Sequence, residues 1–213
     1  MLEGWQIGVV IPARDEEQHI QAVLEGLPDF VDMAVVIDDG STDRTAMVAK
    51  TTKTNCQKII LAGGGDGVGA SIDRGHRHLL ESFDAPFVSV VMAGDGQMNP
   101  HDMMGLIAPI LQGKADHVKG NRSLHPEGFK GMPLHRKRAS RILSLFTTLA
   151  AGTQISDPQC GYTATSVEVL KAWDWNRSWS GYGYPNFWLI NLARHGYRVA
   201  EVPVESIYRN ESS

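Results

Sequence analysis

Short apolar runs alternate along the chain with segments in which apolar residues recur every three or four positions. The runs that predict strands cover residues 7–11, 34–37, 58–61, 87–92, 117–119 and 197–202. The early runs are apolar throughout, as expected for strands that are buried on both faces. This alternation predicts an α/β fold in which helices cover a mostly parallel sheet.

The segments between these runs carry the pattern of amphipathic helices. Ile20, Val23, Leu24 and Leu27 fall at positions i, i+3, i+4 and i+7, which places them on one stripe. Further helices are predicted over residues 43–50, 70–82, 101–112, 134–150 and 186–195, and a loop over 121–133. With 213 residues and 42% hydrophobic content, we expect residues 1–213 to form a single domain.

The overall charge narrows the possible partners. A net charge of -4 argues against a general nucleic-acid binder, because such a protein usually carries an excess of basic residues that neutralise phosphates. Cys56 and Cys160 lie far apart and fit free thiols in a reducing compartment. No secretory signal opens the chain, and no run approaches the ~18 apolar residues that span a bilayer. We therefore expect a cytoplasmic protein, either free or peripheral on the cytoplasmic face of a membrane.

Polar residues cluster directly after three of the predicted strands. The sequence reads PARDEE at 12–17, DDGSTD at 38–43 and AGDGQ at 93–97. Ligands of parallel sheets gather beyond the carboxyl ends of the strands, so these residues are site candidates. Helix capping explains residues 41–43 equally well. The adjacent carboxylates of Asp38 and Asp39 repel each other unless one meets a donor or a cation, so we expect one to bind a ligand.

A glycine-rich segment, GGGDGVG at 63–69, follows the third predicted strand. A dinucleotide-binding loop of this kind normally follows the first strand, so the segment is weak support for that function. Either its backbone approaches a ligand closely, with Gly67 as the candidate contact, or it is a flexible turn before a helix.

Three motifs in this order, VVIPARDEE, VVIDDGSTDRT and MAGDGQMNP, resemble the family 2 glycosyltransferases. The likeness continues through KGNR at 119–122, DPQCGY at 157–162 and GYRVAEVPV at 196–204, so it covers nearly the whole chain. The branch that it resembles is the polyprenyl-phosphate sugar transferases, typified by dolichyl-phosphate mannose synthase. The resemblance implies a GT-A fold, a nucleotide-diphosphate sugar donor, Mg²⁺ or Mn²⁺, and transfer with inversion.

The resemblance also assigns roles to individual residues. The residues that the resemblance implies for the nucleotide pocket are Pro12, Arg14, Asp15, Glu16 and either Asp38 or Asp39. Asp38 or Asp39 is the carboxylate implied to hold the base or ribose. Asp95 and Gln97 are implied to face the metal ion.

The metal motif departs from the family pattern. The family has Asp-x-Asp where this chain has Ala93 and Asp95. Magnesium and manganese often bind through one or two carboxylates together with substrate phosphates, so Asp95 and a donor diphosphate can suffice. We expect weaker metal binding than in the family. The alternative is a sugar-nucleotide-binding domain without catalysis.

The chemistry of sugar transfer suggests two further residues. Negative charge builds on the departing diphosphate, and Arg122 is the candidate clamp beside the metal. An acceptor phosphate is already anionic and attacks without a base, whereas an alcohol acceptor, soluble or protein-borne, needs one. Asp157 is the base candidate for an alcohol. With a lipid phosphate it instead positions the sugar or another site residue, and a plain turn carboxylate is the third alternative.

The predicted helix 134–150 combines basic and apolar residues. HRKR at 135–138 and Arg141 precede a stripe of Ile142, Leu145, Phe146 and Leu149. The pattern alone favours a buried stripe with solvated charges. The family resemblance favours the alternative, in which the helix contacts a membrane and guides an anionic lipid phosphate to the site.

The segment GYGYPN at 181–186 has two interpretations as well. It either shapes the acceptor pocket or packs its aromatic residues under the late helix. Together these features predict transfer of a hexose, from a donor of the GDP-mannose or UDP-glucose type, to a polyprenyl or dolichyl phosphate.

Overall fold

Seven strands form one sheet in the computed structural model, which describes residues 2–126 and 134–207, residues 134–142 by their backbone alone. The strands are β1 (Gln6–Ala13), β2 (Met33–Asp38), β3 (Gln57–Ala62), β4 (Phe87–Val91), β5 (His117–Asn121), β6 (Thr163–Ser166) and β7 (Val199–Pro203). Their order is β3-β2-β1-β4-β6-β5-β7, and every pairing except those of β6 is parallel. The predicted α/β class with a mostly parallel sheet is confirmed.

Seven helices lie among these strands in the described part of the chain. They are α1 (Ile20–Glu25), α2 (Thr45–Thr51), α3 (Val68–Ser82), α4 (Met103–Leu111), α5 (Leu134–Ala151), α6 (Val167–Ala172) and α7 (Tyr184–Arg194). Each predicted helix is present with its ends shifted by a few residues. The predicted loop 121–133 lies partly outside the described residues, and its first part is the end of β5 and a 3-10 helix, Arg122–Leu124.

Two predictions about the strands are wrong. The early strands were expected to be buried on both faces, but β3 is only half-buried because it lies at the edge of the sheet. Strand β6 and helix α6 were not predicted. The sequence of β6, TATS, has no apolar run, yet all four residues are buried because the strand lies antiparallel between β4 and β5.

Apolar residues from both faces of the sheet build the core. One cluster joins alternate β1 residues such as Val9 and Ile11 to α1 and α4, and the other joins Val10 and Ile37 to α3 and α7. Helix α3 lies so close to β1 that a Cβ on Gly75 would be 2.3 Å from a Val10 methyl group. This close packing fixes where α3 begins, beside the glycine-rich segment.

Helix α5 contradicts the prediction of a buried apolar stripe. Leu145, Phe146 and Leu149 are 60%, 62% and 72% exposed, whereas Thr147 and Ala151 are buried. The helix packs against α7 through this small and polar face, which turns the large apolar residues outward. The side chain of Ile142 lies outside the described part. Within residues 2–126 and 134–207, no helix has the length and hydropathy to cross a membrane.

Two buried histidines lie in a polar row along the sheet. His76 Nδ1 is 2.8 Å from Ser89 Oγ, and His117 Nδ1 is 2.9 Å from Thr165 Oγ1. Ser89 and Thr165 are cross-strand partners, so the four side chains form one row. The pKa of each histidine is lowered to about 3, by burial in His76 and by burial together with the nearby Lys119 charge in His117. Both rings are therefore neutral in the folded protein near neutral pH.

This row predicts acid destabilisation. Because the folded-state pKa values lie below the unfolded value, the stabilising contribution is complete above about pH 6.5 and is lost as pH falls towards 3. Each histidine should contribute a slope of about 1.4 kcal/mol per pH unit in the free energy of unfolding. The measurement is urea denaturation at several pH values. His76→Gln should reduce this slope by about 1.4 kcal/mol per pH unit, the contribution of one histidine. The exposed control His101→Gln should leave the slope of the wild type unchanged. If the two variants have equal slopes, the prediction is wrong.

Candidate active site

Hydrogen bonds join the loops that follow β1 and β2. The backbone N–H of Asp39 donates to the Ala13 carbonyl at 2.9 Å, and that of Asp15 donates to Ser41 Oγ at 2.9 Å. The Asp15 carboxylate accepts the Thr42 N–H at 2.7 Å, with its own backbone at a φ of 56°. The two polar segments thus form one rigid edge at the carboxyl end of the sheet.

The two adjacent carboxylates of this edge are satisfied by backbone donors. Asp38 Oδ1 accepts the Ser41 N–H at 3.2 Å. Asp39, which is buried, accepts the N–H groups of Asp66 and Gly67 at 3.1 and 3.0 Å. The expected repulsion between Asp38 and Asp39 is therefore offset within the chain, and Asp39 fixes the position of the glycine-rich segment.

The glycine-rich segment contacts the loop before α7. Gly67 has a φ of 100°, and Gly69 N–H donates to the Ser180 carbonyl at 2.8 Å. A Cβ on Gly69 would be 2.0 Å from the Trp179 carbonyl oxygen, so only glycine fits there. Glycine is needed here because the backbone of the loop before α7 approaches so closely. Close approach of a ligand to the glycine-rich segment, with Gly67 as the contact, stays a prediction.

A cavity of about 270 Å³ opens between these elements. Its lining residues are Pro12, Ala13, Arg14, Glu16, Asp39, Gly67, Val68, Ser71, Ala93, Gly94, Asp95, Gly181 and Tyr182. We call it the donor-side cavity. Most residues predicted for the nucleotide pocket line it. Asp15 and Asp38 do not; their carboxylates bind Thr42 and Ser41 instead.

A second cavity of about 270 Å³ adjoins the first. Its lining residues are Pro12, Val68, Ile72, Val91, Ala93, Asp95, Gln97, Met98, Arg122, Gln159, Cys160, Gly161, Tyr162, Tyr182, Pro185, Val204, Glu205 and Ser206. We call it the acceptor-side cavity. Both cavities share Pro12, Val68, Ala93, Asp95 and Tyr182, so Asp95 lies where they meet.

Asp95 and Gln97 lie in one turn after β4. The Gln97 N–H donates to Asp95 Oδ1 at 2.9 Å, and Ala93 N–H donates to Met98 Sδ. Among the described residues, no group of three or more His, Cys, Asp or Glu side chains is arranged to hold a metal ion. A carboxylate at the boundary of two cavities fits Mg²⁺ or Mn²⁺ only when a diphosphate supplies further oxygen ligands.

Arg122 and Asp157 form a buried ion pair behind the acceptor-side cavity. Arg122 Nε and Nη2 donate to the two carboxylate oxygens at 2.7 and 2.8 Å, and the Arg122 backbone N–H donates at 3.1 Å. Asp157 has no exposed surface. Burial raises the pKa of Asp157, but the bonds and charge of Arg122 outweigh it, so the pKa lies below its usual range. A carboxylate that holds its proton so weakly is poorly suited to be a base.

Residues of the segment 181–186 line the cavities and also pack into the core. Tyr182 is 96% exposed yet lines both cavities, and Pro185 lines the acceptor-side cavity. Tyr184, the first residue of α7, is buried, and its hydroxyl donates to Asp73 of α3 at 2.7 Å. That the segment shapes an acceptor pocket stays a prediction.

Glu205 and Gln159 were not predicted as site residues. Glu205 follows β7, which lies far from β4 in the sequence, and its carboxylate accepts from Asn99 Nδ2 at 2.8 Å. Gln159 lies within the DPQCGY motif. The only signal for Glu205 in the sequence was its position after a late strand, the same rule that found Asp95.

Comparison with known proteins identifies the family. The model of glycosyl transferase family 2 matches residues 8–173. The UDP-N-acetylglucosamine--dolichyl-phosphate N-acetylglucosaminyltransferase of Methanococcus voltae is 29% identical over 97% of this chain and 87% of that protein. The undecaprenyl-phosphate mannosyltransferase of Micrococcus luteus is 30% identical over 94% of this chain and 83% of that protein.

Solved structures agree on the fold. Glucosyl-3-phosphoglycerate synthase from Mycobacterium tuberculosis, in complex with Mn²⁺, UDP and glucosyl-3-phosphoglycerate, superposes with a TM-score of 0.72. It is 23% identical, and the match covers 98% of this chain and 74% of that one. The chain belongs to glycosyl transferase family 2, has the GT-A fold, and resembles the polyprenyl-phosphate branch of that family.

Proposed function

We propose that this protein is a metal-dependent, inverting transferase that moves a hexose from a nucleotide-diphosphate sugar, of the GDP-mannose or UDP-glucose type, to a polyprenyl phosphate. The observation that carries this proposal is the position of Asp95 at the boundary of the two cavities. A diphosphate bound there has its nucleotide among Pro12, Glu16 and Asp39 and its sugar towards the acceptor side. Donor and acceptor then meet at one point.

The reaction that we infer is a single displacement. An oxygen of the acceptor phosphate forms the new bond to the anomeric carbon from the face opposite the leaving group, while the bond to the diphosphate oxygen breaks. Asp95, Gln97 and the donor phosphates would hold a divalent cation, which would neutralise charge on the leaving diphosphate. Arg122 is the second positive group on the acceptor-side wall.

The residues in and behind the acceptor-side cavity favour a phosphate acceptor over an alcohol. Asp157, the base candidate for an alcohol, has both oxygens bound to Arg122 and a lowered pKa. We therefore assign Asp157 to positioning Arg122. A phosphate nucleophile needs no base, and it matches the acceptors named for two relatives. Glu205 is the carboxylate that would serve an alcohol, which is the second candidate function.

The surface of α5 supports a lipid-borne acceptor. Three large apolar side chains, Leu145, Phe146 and Leu149, point into solvent on a helix whose sequence begins with four basic residues, HRKR. The helix packs against α7, whose Pro185 lines the acceptor-side cavity. An apolar stripe with neighbouring basic residues fits the headgroup region of an anionic membrane. We propose that α5 rests there and brings the lipid phosphate to the cavity.

Transfer itself is the first prediction from this proposal. Purified protein with Mn²⁺, undecaprenyl phosphate and either GDP-mannose or UDP-glucose should give a glycolipid whose anomeric configuration is inverted, by chromatography and NMR. UDP-N-acetylglucosamine should be included as a third donor. Transfer only to an alcohol such as phosphoglycerate, abolished by Glu205→Gln, would favour the second candidate. Tight donor binding without transfer to any acceptor would favour a non-catalytic binding domain.

Metal dependence of donor binding is the second prediction. Because Asp95 is the carboxylate expected to share the cation with the diphosphate, Asp95→Asn should reduce the Mn²⁺-dependent gain in nucleoside diphosphate affinity by about tenfold or more. Ala93→Asp, which restores the family motif, should increase that gain. Isothermal calorimetry with UDP and GDP, with and without Mn²⁺, measures both. Asp84→Asn, an exposed change before β4, is the control; an unchanged gain in Asp95→Asn contradicts the metal role.

Membrane contact through α5 is the third prediction. Replacing Leu145, Phe146 and Leu149 by Gln should reduce binding to phosphatidylglycerol vesicles by about tenfold or more, because each buried apolar side chain contributes about 1.5–3 kcal/mol. Vesicle flotation measures it, and high salt should weaken wild-type binding. The control replaces Met47 and Met104, which are exposed elsewhere, by Gln. If both variants bind vesicles equally well, α5 is not the membrane face.

A further inference from the structure

A half-buried network of hydrogen bonds lies behind Arg122, and Glu201 is at its centre. Glu201 accepts the Ser156 N–H at 3.0 Å, the Asp157 N–H at 3.2 Å and Asn121 Nδ2 at 3.0 Å. Asn121 and Arg122 are neighbours at the end of β5, whereas Ser156 and Asp157 belong to the segment before β6. One carboxylate on β7 therefore binds Asp157 directly and binds Asn121, the residue before Arg122.

Lys119 lies beside Glu201 in the sheet. The two residues are register partners of β5 and β7, and Lys119 has no exposed surface. Its ammonium donates to the carbonyl of Cys160, a residue of the acceptor-side wall. Burial lowers the pKa of Lys119, whereas the nearby Asp157 and Glu201 charges raise it. Lys119 and the Arg122 guanidinium thus lie near two carboxylates, those of Asp157 and Glu201.

We propose that Glu201 is a positioning residue for catalysis, which acts through Asp157 to hold the Arg122 guanidinium against the diphosphate of the donor. Glu201 lines neither cavity, so its effect must pass through the residues that it binds. Asp157 is held by the Glu201 carboxylate through its own backbone and holds Arg122 through both side-chain oxygens. The inference rests on the proposed function, because it assumes that Arg122 binds the departing diphosphate.

Glutamine at position 201 breaks the network with little change in shape. Its amide NH₂ group replaces an acceptor oxygen and faces the N–H donors of Ser156, Asp157 or Asn121, none of which it can bind. The change also removes one of the two carboxylate charges, those of Asp157 and Glu201, that lie near Lys119 and Arg122. A shift of Arg122 follows, and misplacement of a catalytic group by about 1 Å can cost up to a hundredfold in rate.

The test compares nucleotides with and without the second phosphate. Glu201→Gln should lower the affinity for UDP or GDP in the presence of Mn²⁺ by about tenfold and lower kcat by at least as much. Affinity for UMP or GMP should stay within about twofold, because the nucleotide side of the cleft is untouched. Glu201→Asp, which keeps the charge, should show a smaller loss of both quantities. It also serves as the test variant if Glu201→Gln fails to fold.

A matched control lies directly before the same two strands. Asp116 accepts from the Arg198 N–H at 2.7 Å and from Arg198 Nη2 at 2.6 Å, at the opposite end of β5 and β7 from the cleft. Asp116→Asn makes the same carboxylate-to-amide change, so it should lower the melting temperature without changing diphosphate affinity or kcat. If it changes both as much as Glu201→Gln does, the effect is general destabilisation and the positioning role is overturned.

Arg122→Ala separates the inference from the function on which it rests. If Arg122→Ala lowers diphosphate affinity while Glu201→Gln and Glu201→Asp bind like the wild type, the positioning role is wrong and the role of Arg122 stands. If Arg122→Ala itself leaves diphosphate affinity unchanged, the proposed clamp is wrong and the positioning role falls with it.

Discussion

The buried ion pair between Arg122 and Asp157 determines how the acceptor side of the cleft is built. It joins the end of β5 to the segment before β6, two parts of the chain that are 35 positions apart. Taking two charges out of water is costly, and the cost is offset only when each charge is fully hydrogen-bonded. Here the Arg122 backbone N–H adds a third hydrogen bond to the Asp157 carboxylate, and Glu201 accepts the Asp157 backbone N–H and so fixes the position of that residue.

On the donor side, a second buried carboxylate, that of Asp39, is likewise hydrogen-bonded and joins two parts of the chain. Asp39 lies at the end of β2, is buried, and holds the glycine-rich segment by two backbone N–H groups. That segment in turn contacts Ser180, in the loop that carries Tyr182 over both cavities. Carboxylates that look like ligand-binding residues in the sequence therefore have a first role in fixing loops. Asp95, which lines both cavities, is the carboxylate for which we propose contact with the donor diphosphate.

The sequence pattern of α5 does not by itself distinguish a helix that faces the core from one that faces a membrane. An apolar stripe next to basic residues has the same spacing whether it faces a core or a membrane. The neighbouring helix decides between them: α7 packs on the face with Thr147 and Ala151, which leaves Leu145, Phe146 and Leu149 in solvent. The acceptor-side cavity opens near the first turn of α7. Helix α7 therefore contacts both α5, which carries the exposed stripe, and the cavity.

The sequence by itself determined the α/β class, nearly all of the strands and helices, the family, and the polar segments at the carboxyl ends of β1, β2 and β4. These features are local, because apolar runs and residues directly after a strand can be recognised without knowing what packs against them. Strand β6 was missed because its burial comes from β4 and β5 and not from its own residues. Glu201, Glu205 and the exposed face of α5 were decided by the tertiary structure alone. The partner of each carboxylate depends on contacts between residues far apart in the chain. Those contacts decide whether the carboxylate binds Arg122, faces solvent or accepts from backbone N–H groups.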